Sequence, residues 1–69
     1  MAIKSFSNII KELREQKNFT QKMVEELTGI DRTTISAYEK GKRVPSIDIA
    51  CKLADLYRVS LDELFGRDR

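Results

Sequence analysis

Residues 20–38 read TQKMVEELTGIDRTTISAY, and the fold turns on how this stretch is read. Two short helices meet at Gly29. The first opens at Thr20-Gln21 and carries Val24, Leu27 and Thr28 at helical spacing. The second opens at Asp31, whose carboxylate can accept the unpaired backbone N–H groups of the next turn. Ile35 and Tyr38, three apart, are the side chains that it turns inward. Between the helices, Thr28-Gly29-Ile30 supplies what a tight corner needs: a residue free to take positive φ, then an apolar plug for the joint.

Working outward, Ser5-Phe6-Ser7 opens a helix that runs to about Lys17, with Phe6, Ile9, Ile10 and Leu13 on its apolar face. Asn18 breaks it, and Phe19 plugs the space before the next helix. On the other side, Gly41 suits the left-handed position just past a helix ending near Lys40. Lys42-Arg43-Val44 must then be extended, because Pro45 disfavours helix at the residue before it. Ser46 caps a fourth helix with Ile49, Ala50, Cys51, Leu53, Ala54 and Tyr57 on its apolar side, so Cys51 reads as a core thiol. Ser60 and Glu63 form a capping box for a fifth, carrying Leu61, Leu64 and Phe65 and stopped by Gly66. No strand pattern occurs. The expectation is an all-α fold of five short helices, one domain over residues 1–69.

Composition narrows the function. Thirteen basic and eleven acidic residues leave a net charge of +2, weak evidence alone for an anionic partner. Distribution says more: residues 1–43 hold nine Lys/Arg and six Asp/Glu, and Lys40, Lys42 and Arg43 cluster just past the third helix. With no His there is no His-based triad and no His zinc site; Cys51 has no base partner; no glycine-rich phosphate loop occurs. An enzyme, a catalytic residue, a metal or a cofactor is therefore not expected. The lone cysteine and the lack of a signal peptide or a membrane-spanning run point to a cytoplasmic protein.

With these residues in order, the chain resembles the phage-repressor-like helix-turn-helix domains, the Xre group that includes lambdoid repressors and Cro. The resemblance rests on Arg14, Thr20-Gln21, Gly29-Ile30, Thr34-Ile35-Ser36, Tyr38-Glu39, Gly41, Arg43, Pro45-Ser46 and Ser60-Leu61-Asp62-Glu63-Leu64, and covers roughly residues 6–66. It implies a lambda-repressor-like fold with its helix-turn-helix at about residues 20–39, whose third helix enters a DNA major groove.

It also implies roles. Arg14 and Glu39 look like the ion pair that ties the first helix to the end of the recognition helix. Thr20 and Gln21 look like a phosphate grip at a helix N-terminus. Arg32, Thr33, Ser36 and Ala37 take the positions that face base edges, and Arg32 alone has the fork for a guanine's O6 and N7. Thr34, Lys40, Lys42 and Arg43 are better placed for backbone phosphates. One departure stands out: Glu25 falls where the family has a small alanine, and Thr28 where it has leucine. Sliding the second helix by one residue would put Val24 and Leu27 in those slots, but Thr20-Gln21 would then miss theirs. The ungapped register is preferred, with Glu25 leaning to the edge of the interface because a buried, unpaired carboxylate is costly.

The expected partner is double-stranded operator DNA, bound in the major groove by a transcriptional regulator, most simply a repressor. A homodimer is expected, through the helix-five region (Leu61, Leu64, Phe65 and the tail), since apolar residues on a terminal helix have little else to cover. The competing reading, a protein-interaction module such as an antitoxin or co-regulator, calls for an acidic or apolar recognition face; Arg32, Thr33 and Lys40 make a basic, polar one. The chain can equally be the DNA-binding part of a longer regulator.

Overall fold

A computed structural model describes residues 5–67. Five helices follow in order: α1 (Phe6–Gln16), α2 (Gln21–Thr28), α3 (Arg32–Glu39), α4 (Ile47–Tyr57) and α5 (Leu61–Leu64). No strand occurs among the described residues.

Each helix starts on a side-chain acceptor. Ser5, Thr20, Asp31, Ser46 and Ser60 are the N-caps, each accepting a backbone N–H two or three residues on. At α5 the box is reciprocal: Glu63 N–H donates to Ser60 Oγ at 3.0 Å, and Ser60 N–H donates to Glu63 Oε1 at 2.9 Å. At α2 a thioether completes the box, Thr20 N–H pointing at Met23 Sδ at 3.4 Å.

The ends are equally local. After α3, Gly41 takes φ +75°, its N–H donates to Tyr38 O and that of Lys42 to Ala37 O, which turns the chain out of the helix at once. Asn18 does the same after α1 at φ +59°, and Arg58 after α4 at φ +57°. A left-handed arginine costs more than a glycine would, and no residue type announced it.

One apolar cluster holds the helices together: Ile10, Val24, Ile30, Ile35, Tyr38, Ala50, Leu53, Ala54, Tyr57 and Leu64. Helix α3 packs on α1 and α2, α4 on α2 and α5, and α5 closes back on α1. Phe65 stacks on Phe6 with ring centroids 4.8 Å apart, and Phe6 meets Tyr38 edge-on.

Three expectations give way here. Leu64 is not on offer as a dimer contact, because its side chain is fully buried. A four-residue helix folded back onto α1 and α4 covers the protein's own core, so its central leucine has plenty to bury against. Cys51 is exposed rather than a core thiol: Ala50 and Ala54 take the inward positions and turn it out to solvent. Leu27 does not join Val24 inside; it is 59% exposed, whereas Val24 has no accessible surface. Thr20 caps α2 and Leu27 faces solvent, which fits the ungapped register and not the one-residue slide, in which Leu27 would fill an apolar slot.

Candidate nucleic-acid interface

In the corner between α2 and α3, the backbone N–H groups of Gly29, Ile30, Arg32 and Thr33 find acceptors nearby. Gly29, at φ +79°, donates its N–H to Glu25 O at 2.8 Å. Thr28 explains its own presence where an apolar residue was expected. Its hydroxyl donates to Val24 O at 2.7 Å and accepts the Ile30 N–H at 3.1 Å, closing two polar groups at the joint. Ile30 is then driven into the core. Asp31 accepts the N–H of Thr33 at 3.1 Å, and Glu25 reaches across the turn to accept the N–H of Arg32 at 3.0 Å. Glu25 thus leans to the edge and is paired there, not stranded inside.

Helix α3 has two faces with different duties. Ile35 and Tyr38 are buried against α1 and α2. Turned the other way, Thr33, Ser36, Ala37 and Lys40 share one stripe at i, i+3, i+4 and i+7. Together with Lys42 they line a shallow, open recess. Arg32 stands at the first turn beside that stripe, exposed, and its guanidinium makes no hydrogen bond among the described residues. Thr34 is half-buried at the edge between the two faces. Lys40, Lys42 and Arg43 are exposed around the end of α3. Gly41 and Pro45 fix that loop at its two ends, one by a left-handed turn, the other by its ring.

Thr33 is less free than its sequence position implied. Its hydroxyl donates to Asp31, so towards a base it has lone pairs and a methyl group to offer. The same bond, first, and the Thr33 N–H hold the Asp31 carboxyl below its usual range.

At the far end, α3 is held to the body by polar groups. Arg14 Nε donates to Glu39 Oε2 at 2.7 Å and Arg14 Nη2 to Glu39 Oε1 at 3.0 Å, while Nη1 donates to Phe19 O at 2.8 Å. The pair is largely shielded, with side chains 14% and 5% exposed. The bond to Glu39 raises the Arg14 pKa above its ordinary value against the opposing pull of burial. Gln21 joins the same network, its amide donating to Glu39 Oε1 at 3.1 Å. One of that amide's two hydrogens is therefore engaged indoors, and Gln21 is half-buried. Its backbone N–H sits at the first position of α2, beside the exposed Thr20. Sequence reasoning missed this third member, because the amide's choice between Glu39 and solvent depends on how α2 and α3 pack.

A short helix pinned at both ends, one face buried and the other polar and cationic, defines a helix-turn-helix module, and the chain belongs to the helix-turn-helix family, matched over residues 10–64. It is 41% identical over 58 residues to the HTH-type transcriptional regulator AnsR of Bacillus subtilis, which takes in 84% of this chain and 50% of AnsR. It is 37% identical over 59 residues to the cryptic phage CTXphi transcriptional repressor RstR of Vibrio cholerae, covering 86% of this chain and 53% of RstR. The chain thus spans about half the length of both. Among solved structures it superposes on the restriction-modification controller protein C.AhdI from Aeromonas hydrophila with a TM-score of 0.80 at 33% identity, covering 87% of this chain and 91% of that one. No helix among the described residues is long and apolar enough to cross a membrane.

Proposed function

We propose that residues 1–69 act as one DNA-binding domain that recognises a specific double-stranded sequence in the major groove and regulates transcription, most simply as a repressor. The observation that carries this reading is the outer face of α3. Arg32 offers a guanidinium that makes no hydrogen bond among the described residues, and Thr33, Ser36, Ala37 and Lys40 form a continuous stripe beside it. In this reading Arg32, Thr33, Ser36 and Ala37 meet base edges: Arg32 a guanine's O6 and N7, Ala37 and the Thr33 methyl a thymine methyl. Thr20, the Gln21 backbone N–H, Thr34, Lys40, Lys42 and Arg43 hold phosphates on either side, which sets the depth and register of α3. The names of AnsR and RstR, a regulator and a repressor, support the same reading.

A homodimer is part of this proposal: one short recognition helix reads few base pairs, and a two-fold site doubles that number. Within the helix-five region, the half-buried Leu61 and Phe65 are the apolar side chains with surface left to share.

Selection from a randomised duplex library, with binding titrated across salt, tests this. Enrichment of a two-fold palindrome is the expected result. No enrichment, with only weak salt-sensitive binding, would overturn the reading, and sedimentation showing a strict monomer on the selected site would overturn the dimer.

A further inference from the structure

We infer that Glu25 is a positioning residue for sequence readout: its carboxylate tethers the first residue of the recognition helix to α2 and closes that residue's N–H to phosphates. The inference rests on the function proposed above. Two contacts of one residue carry it. The Glu25 carbonyl oxygen accepts the Gly29 N–H at 2.8 Å and so ends α2. Its Oε2 accepts the Arg32 N–H at 3.0 Å and so begins α3. The first bond is backbone and any residue would make it; the second belongs to the Glu25 side chain, which alone spans the turn from α2 to the first residue of α3.

The position of the tether gives it a consequence for binding. Free N–H groups at a helix N-terminus, with the positive end of the helix dipole, ordinarily make a phosphate site. Here the Arg32 N–H is taken by Glu25 and the Thr33 N–H by Asp31. Two carboxylates thus stand where a phosphate would dock, and they repel one. The Arg32 guanidinium, by contrast, makes no hydrogen bond among the described residues. A backbone held in place beneath a free side chain is the arrangement that favours a base contact over an adventitious phosphate contact. An alanine at position 25 would leave the Arg32 N–H open to any duplex.

The test compares Glu25→Ala and Glu25→Gln with the wild-type protein on its selected duplex and on a random duplex, beside amide hydrogen exchange at Arg32. Glutamine keeps an oxygen acceptor and removes the charge; alanine removes both. Glu25→Ala is expected to lower the ratio of specific to random affinity by about tenfold, the scale of one mis-set base contact. Exchange of the Arg32 amide should speed up by a similar factor, while Glu25→Gln keeps the amide protected and restores most of the ratio. A folded Glu25→Ala protein with an unchanged ratio, or a Glu25→Gln protein that loses as much as Glu25→Ala, would overturn the inference. A wild-type protein that selects no sequence would instead overturn the proposed function, and the Arg32 amide would still report whether the tether exists.

Discussion

Arg14 and Glu39 lie 25 positions apart and meet through two hydrogen bonds, at 2.7 and 3.0 Å, in a site that excludes most water. The pair joins the last turn of α1 to the last residue of α3. Because Gln21 and the Phe19 carbonyl join it, α1, α2, α3 and the α1–α2 loop share one polar junction. Removing one member strands the other in a poorly solvated place. Glu39→Gln is expected to cost about 2–4 kcal/mol in urea unfolding, and replacing both members by apolar residues should recover part of that. A loss below about 0.5 kcal/mol would mark the pair as an ordinary surface contact.

Leu64 separates a core role from an interface role. Its side chain is fully buried, so Leu64→Ala should destabilise the monomer by roughly 2–4 kcal/mol, enough to unfold much of a domain this small. Thermal melts at several protein concentrations check this. If the monomer's melt is unchanged and only its concentration dependence moves, Leu64 belongs to an interface after all.

Cys51 is exposed and should react with a thiol reagent in the native state at close to the rate of the unfolded chain. Cys51→Ser should shift stability by less than about 0.5 kcal/mol. A thiol that reacts only on unfolding would contradict its placement on the outer side of α4.

Tyr57 contributes to the alkaline limit of stability. Burial pushes its hydroxyl up to about 12, from an ordinary value of 10.0. The folded state therefore keeps a proton that the unfolded chain has released, and the sign of the linkage follows. This contribution is whole below pH 10 and is lost as pH rises towards 12. Its size is on the order of 2 kcal/mol. Tyr57→Phe should flatten that limb of the stability curve, and an unchanged limb would show that the hydroxyl is solvated.

Why some of this was legible in the chain and some was not comes down to range. Helix starts depend on one side chain and the next turn, so Ser5, Thr20, Asp31, Ser46 and Ser60 were readable as caps. Gly29 and Gly41 were readable for the same reason, since positive φ at a corner favours glycine. Arg58 at φ +57° carries no such mark, being held left-handed by its surroundings and not by its type. Cys51 sits one helical position from the buried Ala50 and Leu27 one from the half-buried Thr28, and a stripe drawn by spacing alone is one residue too wide there. Leu64 looked outward because a terminal helix has no visible partner until α5 folds back. On α3 the inward pair, Ile35 and Tyr38, was plain from spacing, whereas the outward positions came only with the family resemblance. The hydroxyl of Thr33 bonded to Asp31, the Gln21 amide bonded to Glu39 and the Glu25 tether were not, because each is a choice among acceptors that only the packed corner decides.

Lys42 and Arg32 should fail in different ways. Lys42 lies exposed in the loop past α3, and in the proposed complex it meets the sugar-phosphate backbone whatever the sequence. Lys42→Ala should weaken selected and random duplexes alike and reduce the salt slope by about one. A loss confined to the selected duplex would make it a base contact.

The most direct test of the account is the affinity of Arg32→Ala for the selected duplex and for random duplex, measured side by side at fixed salt. A loss of roughly 1–3 kcal/mol is expected on the selected duplex only, with preference relaxed at a single base pair. An equal loss on both duplexes would make Arg32 a phosphate contact and contradict readout by the first turn of α3.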